Sequence, residues 1–243
     1  WTGAEARAER KPARYSFLIV CTRYSRRLQA ALLSIAKQRG AAPGAVEVVL
    51  AYVPGFDTTE DVIRSMEVAY PDLRIVRSPF SEANAREKGF LINESSRLAT
   101  GEWLILLDAD ILLPPDFLER IEALPEACCF AAPDGRKMLE EEATADILLG
   151  RTDPAVAWPA LLEGPGEVRT DEGRGVPIGY CQIVRTRCMK DVRYDEYGHF
   201  EGADWQFGKD MIERFGPATR IEGLVLLHLH HGGSQWYGTQ RHY

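Results

Sequence analysis

Long apolar runs are absent from the sequence, and so is any long run of Lys and Arg. A membrane-spanning helix needs roughly 18 to 20 apolar residues in succession, so no span is expected. The N-terminal stretch WTGAEARAERKPARYS lacks the apolar core of a signal peptide. The formal net charge of -7 argues against a general nucleic-acid binder, because phosphate backbones are bound by clustered basic residues. We therefore expect no nucleic-acid partner, and we expect anionic ligands to be held by local features.

Cysteine is also scarce, and its spacing identifies no metal site. The cysteines are odd in number, show no CxxC spacing and lie mostly in apolar, strand-like runs. This pattern favours small buried thiols in a reducing cytoplasm over zinc ligands or disulfides. The five residues are Cys21, Cys128, Cys129, Cys181 and Cys188.

Length and composition are those of an ordinary globular protein. Of 243 residues, 45% are hydrophobic and 27% are charged, and no internal repeat or low-complexity tract is found. This length allows one large α/β domain or two small ones. Residues 1–14 are charged and do not begin with Met, so we expect them to be a lead-in within a longer polypeptide.

Strand and helix patterns alternate through the first half. Continuous apolar runs rich in β-branched residues predict strands, and apolar residues at helical spacing predict the helices between them. Strands that are apolar on both faces are typical of a parallel sheet covered by helices, with its ligand crevice at the carboxyl ends of the strands. The expected strands are 15–22, 46–53, 73–79 and 103–110, and the expected helices are 26–40, 58–70 and 81–101.

The second half is less regular. A helix is expected over 136–154, a strand over 178–186, a helix over 204–216 and then a strand that ends in three histidines. Residues 161–177 are rich in Gly, Pro and charge. They predict a mobile surface loop that gates a site or, alternatively, a disordered insertion.

Two acids end a buried strand in the stretch WLILLDADILLPPDFL. Asp108 and Asp110 are two residues apart, so in an extended segment their side chains point the same way and can share one divalent cation. Carboxylates in a core are costly unless a positive charge meets them. The alternative is a surface turn that precedes a helix with Asp116 in its first turn. This stretch alone leaves both interpretations open.

Four blocks, in this order, resemble glycosyltransferases of the GT-A fold, and among them the broad family 2, which uses nucleotide-sugar donors. They are a strand-turn-helix, a basic helix leading into a strand with a DxD signature, an acidic stretch before a helix, and a His-bearing strand. The blocks are FLIVCTRYSRRLQAALLSIAKQ, EANAREKGFLINESSRLATGEWLILLDADILLPPDFL, DVRYDEYGHFEGADWQFGKDMIERFG and VLLHLHHGG.

The resemblance implies a single GT-A domain over 15–243, with a Rossmann-like, mainly parallel central sheet flanked by helices. The nucleotide-binding half is expected at 15–113 and the acceptor-binding half at 114–243. The resemblance also implies Mn²⁺ or Mg²⁺ as cofactor, bound with the donor diphosphate. Asp110 would bind the ion directly, and Asp108 would reach the ribose, or the ion through water.

Histidines of the last block are the further candidate ligands. His228 and His230 stand two apart on one strand, hence on one face, whereas His231 points elsewhere. Block alignment ranks His228 first and leaves His230 open. A satisfied structural histidine is the alternative.

The acidic block supplies the candidate general base. By resemblance Asp204 takes the proton of the acceptor hydroxyl, and Glu201 orients the acceptor or is itself the base. The alternative is that Asp204 only caps the helix that follows.

Nucleotide contacts are implied for the turn after the first strand, at Thr22, Arg23 and Tyr24, whose alternative is a solvated turn. Arg86 stands where relatives often have a basic residue against the nucleotide. On a helix it could instead pair with Glu82 on the surface.

One departure leaves the nucleobase open. After the second strand the family normally has an acidic turn whose first Asp contacts the base, but this chain has LAYVPGFDTTED. Ala51 and Tyr52 occupy the expected acidic place, and Asp57 comes late.

The sequence and this resemblance together predict a metal-dependent glycosyltransferase of hexosyltransferase type, as in polysaccharide biosynthesis, and the resemblance alone implies that it is inverting. It would move a sugar from a nucleoside diphosphate-sugar to a hydroxyl of a glycan or related acceptor. A nucleotidyltransferase is one alternative, but CTRYSRRLQ lacks the Gly-rich signature expected after the first strand. A non-catalytic nucleotide- or carbohydrate-binding module of a larger protein is the other.

Overall fold

One mixed sheet organises the chain. The computed structural model describes residues 11–197 and 202–231. The strands are β1 Tyr15–Cys21, β2 Val46–Tyr52, β3 Arg74–Pro79, β4 Trp103–Asp108, β5 Ile111–Leu112, β6 Phe130–Leu139, β7 Gly166–Thr170, β8 Cys181–Arg185 and β9 Thr219–His228. The helices are α1 Ser25–Ala36, α2 Thr59–Ala69, α3 Lys88–Ser96, α4 Phe117–Glu122, α5 Glu141–Leu148, α6 Pro154–Glu163 and α7 Ala203–Phe215.

The sheet runs in the order β3-β2-β1-β4-β8-β6-β9-β5, with β7 added beside β6. The first four strands pair in parallel, as expected for strands joined by helical crossovers. β8 is antiparallel to both β4 and β6, so the second half of the sheet is mixed. The α/β sheet flanked by helices is confirmed.

Both faces of β1 are buried, because helices cover the sheet on each side. Phe17 and Ile19 point into the cluster that contains α1 and α2 residues such as Leu28 and Ile63. Leu18 and Val20 point into the opposite cluster with α3 and α7. This alternation over an unbroken apolar run is what the sequence pattern predicts for a central strand.

Three predicted elements differ from the structure. The helix expected over 81–101 is a 3-10 turn at Glu82–Asn84 followed by α3. Ser81 and Glu87 each hydrogen-bond the side chain of Asn84, and such local bonds compete with a continuous helix. The helix expected from residue 136 starts only at Glu141, because the preceding residues extend β6.

The segment 161–177 is also more ordered than expected. Its first residues end α6, and Gly166–Thr170 forms β7, which pairs with β6 over five residues. The ladder satisfies the backbone groups that a loop would leave to water. Only the turn that follows β7 keeps the irregular character that the composition predicts.

All five cysteines are free thiols and four of them are buried. Burial raises the pKa of Cys21 to about 12, so this thiol is unreactive at neutral pH. Among the described residues, none of the helices has the length and apolar character needed to cross a membrane.

A buried carboxylate ties the first strands together. Glu47 of β2 is fully buried and accepts hydrogen bonds from Ser16 Oγ at 2.6 Å and Thr100 N at 2.6 Å. Arg74 of β3 donates to its other oxygen through Nε at 3.1 Å and Nη2 at 2.8 Å. One side chain therefore joins β1, β2, β3 and the turn before β4.

We predict that Glu47→Ala lowers the free energy of unfolding by about 3 kcal/mol, because it leaves Arg74 and several donors without their buried acceptor. Urea denaturation followed by circular dichroism measures this change. The control is Glu67→Ala, whose carboxylate pairs with Arg77 on the surface and should cost at most about 0.5 kcal/mol. Equal losses in both variants would contradict the prediction.

Candidate active site

The DxD acids lie at the carboxyl end of β4, where the first and second halves of the chain meet. Asp108 is the last residue of β4, and its N–H donates to the carbonyl oxygen of Tyr180 at 3.1 Å. The carbonyl oxygen of Asp110 accepts from Leu229 N at 3.0 Å, just beyond β9. The Asp110 side chain is 8% exposed and that of Asp108 is 31% exposed. The interpretation as a plain surface turn is therefore wrong.

Lys88 is the cation that meets the first acid. Its Nζ donates to Asp108 Oδ1 at 2.8 Å, and its side chain is 9% exposed. Burial opposes the charge of the ammonium group, but Asp108, Asp204 and Asp110 outweigh burial and raise the pKa of Lys88. Lys88 is therefore a stable cation between the DxD motif and the acidic block.

The sequence analysis did not single out Lys88, and its assignment of Arg86 to a nucleotide contact stays a prediction. Arg86 is exposed and precedes α3, whereas Lys88 is the first residue of α3 and faces the sheet. Residues 82–84 form a 3-10 turn, and the α-helix begins only at Lys88. The alternative in which Arg86 pairs with Glu82 on one face of an α-helix is therefore wrong. The available signal was the buried acid itself, which requires a nearby cation.

The side chains of Asp110, His228 and His231 converge on one point at the end of β4. Asp110 Oδ2 lies 3.4 Å from His231 Nε2 and 3.8 Å from His228 Nε2. One donor atom from each of these residues falls within 4.8 Å of the others. A carboxylate and two imidazoles at this spacing can hold one cation.

His231 takes the place that the sequence assigned to His230. The prediction that His230 shares a face with His228 is wrong, because β9 ends at His228 and strand alternation ends with it. The backbone of His230 is held by Thr144 Oγ1, which accepts from its N–H at 2.8 Å, and by Arg27, which donates to its carbonyl oxygen. The side chain of His230 is thereby left exposed, while the ring of His231 turns inward.

The imidazoles are suited to binding a cation. Burial lowers the pKa of His228 to about 3, so its ring is neutral at pH 7. Burial raises the pKa of Asp110, opposed by His231. Among the described residues, the buried Nδ1 atoms of His228 and His231 have no hydrogen-bond partner. Buried polar atoms without partners are rare, so these nitrogens fit a site that binds a cation.

Asp204 lies in the first turn of α7, but it does not cap the helix. The N-cap is Gly202, at φ +85°, which has no side chain to accept from the first N–H groups of the helix. Asp204 Oδ2 instead accepts from Gly179 N at 2.7 Å. A Cβ on Gly179 would lie 2.7 Å from that oxygen, so glycine permits this contact. The capping alternative is thus wrong. Glu201 lies outside the described residues.

The turn after β1 faces the same edge of the sheet. Thr22 and Tyr24 are buried, and Arg23, at φ +65°, stacks on Phe56 with 4.2 Å between its Cζ and the ring centroid. The ring of Tyr24 lies 5.7 Å from that of His231. The turn that is predicted to contact the nucleotide thus lies next to the histidine cluster, which consists of Asp110, His228 and His231.

Asp57 reaches this turn despite its late position in the sequence. Its carboxylate accepts from Ser25 N at 3.1 Å and from Thr59 N at 2.9 Å. It therefore joins the starts of α1 and α2 beside Arg23, where a nucleobase would be expected from the family pattern.

A protein-family model described as "Glycosyltransferase like family 2" matches residues 12–214, which is most of the chain. The chain belongs to this family. A search of curated protein sequences gives no significant match.

Solved structures share the fold of this family-2 chain. The mannosyltransferase PcManGT from Pyrobaculum calidifontis, in complex with GDP-Man and Mn²⁺, aligns with TM-score 0.64 at 17% identity over 93% of this chain and 62% of that one. S. aureus TarS 1-349, in complex with UDP-GlcNAc, aligns with TM-score 0.69 at 15% identity over 93% and 61%. Glucosyl-3-phosphoglycerate synthase from Mycobacterium tuberculosis, in complex with Mn²⁺, UDP-Glc and phosphoglyceric acid, gives TM-score 0.54 at 15% identity over 94% and 76%.

These likenesses confirm the GT-A fold. The family-2 chain spans about three fifths of the first two structures, at 62% and 61% of their lengths. The DxD motif, the histidine cluster and Asp204 lie together at one edge of this fold.

We predict that Lys88→Met lowers the free energy of unfolding by about 2 kcal/mol, because it leaves Asp108 partly buried and unpaired. The double variant Lys88→Met/Asp108→Asn should recover much of that loss, since the uncompensated charge is gone. Thermal and urea unfolding measure both variants. Lys209→Met is the control, because Lys209 is exposed and faces Glu213 at 3.8 Å. A double variant no more stable than Lys88→Met would refute the charge-pair explanation.

Proposed function

We propose that this chain carries a metal-dependent, inverting hexosyltransferase domain. It moves a sugar from a nucleoside diphosphate-sugar to a hydroxyl group of a glycan or related acceptor, in keeping with a role in polysaccharide biosynthesis. The observation that carries this proposal is the convergence of Asp110, His228 and His231 beside the DxD strand, with Lys88 and Asp204 close to Asp108.

Asp110, His228 and His231 are the residues that would hold the metal. Carboxylate oxygens suit Mg²⁺ and Mn²⁺, whereas imidazole nitrogen suits transition metals, so this mixed set favours Mn²⁺ over Mg²⁺. A bound divalent ion would neutralise the diphosphate as the sugar leaves it. Asp108, held by Lys88, is left to contact the ribose or a water molecule.

Asp204 is the proposed base, which takes the proton of the acceptor hydroxyl as its oxygen attacks the anomeric carbon. The N–H of Gly179 fixes one carboxylate oxygen at 2.7 Å, and the other can face the acceptor. Buried Gln182 holds the backbone beneath it by donating to the carbonyl oxygen of Asp204 at 3.0 Å. Attack from the side opposite the diphosphate inverts the anomeric centre.

Thr22, Arg23 and Tyr24 are proposed to contact the nucleotide, with Asp57 organising the turn that faces the base. The described relatives were solved with guanosine and uridine nucleotides, so a panel of donors is needed to identify the base. The buried thiols favour a reducing compartment, and we propose the cytoplasm.

We predict that Mn²⁺ together with a matching nucleoside diphosphate raises the melting temperature, because a ligand that binds only the folded state stabilises it. His228→Gln, His231→Gln and Asp110→Asn should each abolish the Mn²⁺-dependent part of the shift. His230→Gln is the matched control and should retain it. Differential scanning fluorimetry with GDP, UDP, ADP and CDP measures the effect. A loss in His230→Gln with no loss in His231→Gln would refute the proposed ligand set.

Asp110→Asn should also raise the melting temperature of the metal-free protein, by about 2 °C or more, since it removes a carboxylate that burial disfavours. Asp110→Asn should therefore lose the Mn²⁺-dependent shift and also be more stable than the unchanged protein without metal. Replacing an acid with a purely structural role would not give both results. A lower melting temperature in the metal-free variant would contradict this interpretation.

We predict that Asp204→Asn lowers the rate of sugar transfer by about 100-fold or more while donor affinity changes little, because the general base is lost and the donor contacts remain. Release of nucleoside diphosphate with acceptor present measures the rate. Asp210→Asn is the control, because Asp210 only accepts from Gln206 one turn further along α7. If no common sugar nucleotide is cleaved and no nucleotide binds with Mn²⁺, the enzyme assignment fails, and a non-catalytic module becomes the better account.

A further inference from the structure

Three arginines from three neighbouring strands gather beside the candidate active site. Arg136 of β6 is paired in register with Arg169 of β7, so their side chains lie on the same face of the sheet. Arg220 of β9 lies on the other side of β6, where its register partner is Ala132, four residues before Arg136, and its guanidinium reaches Asp171, the neighbour of Glu172. We call Arg136, Arg169 and Arg220 the arginine cluster. Like charges directly opposite each other on paired strands are destabilising, so the cluster requires an anion.

The anions are two consecutive acids of the turn that follows β7. Arg136 donates to Glu172 through Nε at 2.7 Å and Nη2 at 2.9 Å, one bond to each carboxylate oxygen. Arg169 Nη1 lies 3.9 Å from Glu172 Oε1, and Arg220 Nη2 lies 3.6 Å from Asp171 Oδ1. A bidentate bond to a planar carboxylate is the geometry in which arginine also binds phosphate.

The two sides of this contact differ in rigidity. Arg136 is 15% exposed, belongs to a strand with partners on both sides, and stacks on Tyr180 at 4.8 Å from the ring centroid. Asp171 and Glu172 belong to a turn in which Asp171 and Arg174 have φ values of +53° and +50°. The left-handed region is costly for an arginine. Arg136 is therefore held by the sheet, whereas Asp171 and Glu172 lie on a short turn outside it.

The arginine cluster lies at the acceptor side of the cleft. The carbonyl oxygen of Tyr180, on which Arg136 stacks, accepts from the N–H of Asp108. Arg136 is also close enough to the metal site for its charge to add to the lowering of the pKa of His228, which burial dominates. The strands of the cluster belong to the second half of the chain, whereas the proposed nucleotide contacts come from the first half.

We propose that the arginine cluster binds an anionic group of the acceptor, a phosphate or a carboxylate, and that Asp171 and Glu172 occupy its place until the acceptor displaces them. The inference rests on the proposed function and names the acceptor class: a hydroxyl compound that also carries negative charge. Glu172 serves as an internal substitute that keeps Arg136 in its binding conformation.

The test measures binding of inorganic phosphate and, in a second arm, acetate by isothermal titration calorimetry. Each titration is run without nucleotide and with saturating nucleoside diphosphate and Mn²⁺. Glu172→Gln should bind one of the two anions at least fivefold more tightly than the unchanged protein, because the internal competitor loses its charge. Arg136→Gln should bind it at least tenfold more weakly. The arm that responds distinguishes phosphate from carboxylate.

Glu167→Gln is the matched control. Glu167 also pairs with Arg169, at 2.7 Å, but its side chain is exposed and the acceptor of Arg136 is Glu172, so anion affinity should stay unchanged. Arg169→Gln is a second loss variant, at a side chain that is 41% exposed and lies outside the core. Circular dichroism verifies the fold of each variant.

Unchanged anion affinity in Glu172→Gln, or full affinity in both arginine variants, would overturn the proposal. So would anion binding that disappears when nucleoside diphosphate is saturating, since the site would then belong to the donor. These results are independent of the Mn²⁺ and nucleotide shifts above, so failure of this inference and failure of the proposed function can be told apart.

Discussion

Negative charge at the buried end of β4 is the constraint on which the rest of the site depends. Asp108 and Asp110 lie at the end of β4, where burial disfavours their charges. Asp204 is close enough to add a third negative charge to this region. A buried cluster of carboxylates destabilises the fold unless positive charges lie close to it. Lys88 meets Asp108, whereas the groups nearest to Asp110 are two imidazoles, of which His228 is neutral at pH 7. Among the described residues, Asp110 has no direct ion pair with a lysine or arginine, and Arg27 and Arg136 act on its charge from further away, which fits the metal-binding role proposed for it.

The two halves of the chain supply different parts of this arrangement. Parallel strands β1 to β4 bring the DxD motif, the turn after β1 and Lys88 to one edge, because all their carboxyl ends point the same way. β8 reverses direction beside β4, so Gly179 and Tyr180 arrive at that edge from its other side. β9 then returns parallel to β6 and delivers His228. The mixed half of the sheet is thus what closes the site around the acids.

The first four strands could be predicted from the sequence because each contains consecutive apolar and β-branched residues bounded by turn residues. The position of the acids at a strand end followed from the same pattern. The role of Lys88 could not, because it depends on α3 starting at Lys88 after a 3-10 turn. The choice of His231 over His230 depends on β9 ending at His228. In both cases a shift of a few residues in an element boundary decides which side chain reaches the site, and boundaries are what local patterns define least well.

Charge pairs serve two different purposes on the two sides of the cleft. Lys88 and Asp108 both belong to regular elements packed against the sheet, so their contact is part of the folded core. Arg136 is equally fixed, but its partner Glu172 sits on a turn whose backbone is strained at Asp171 and Arg174. Breaking the first pair leaves a charge that nothing replaces. Breaking the second leaves a bidentate donor that another anion can satisfy, at the cost of moving only a short turn. The two pairs therefore differ in the backbone that carries each acid, which is a strand for Asp108 and a turn for Glu172.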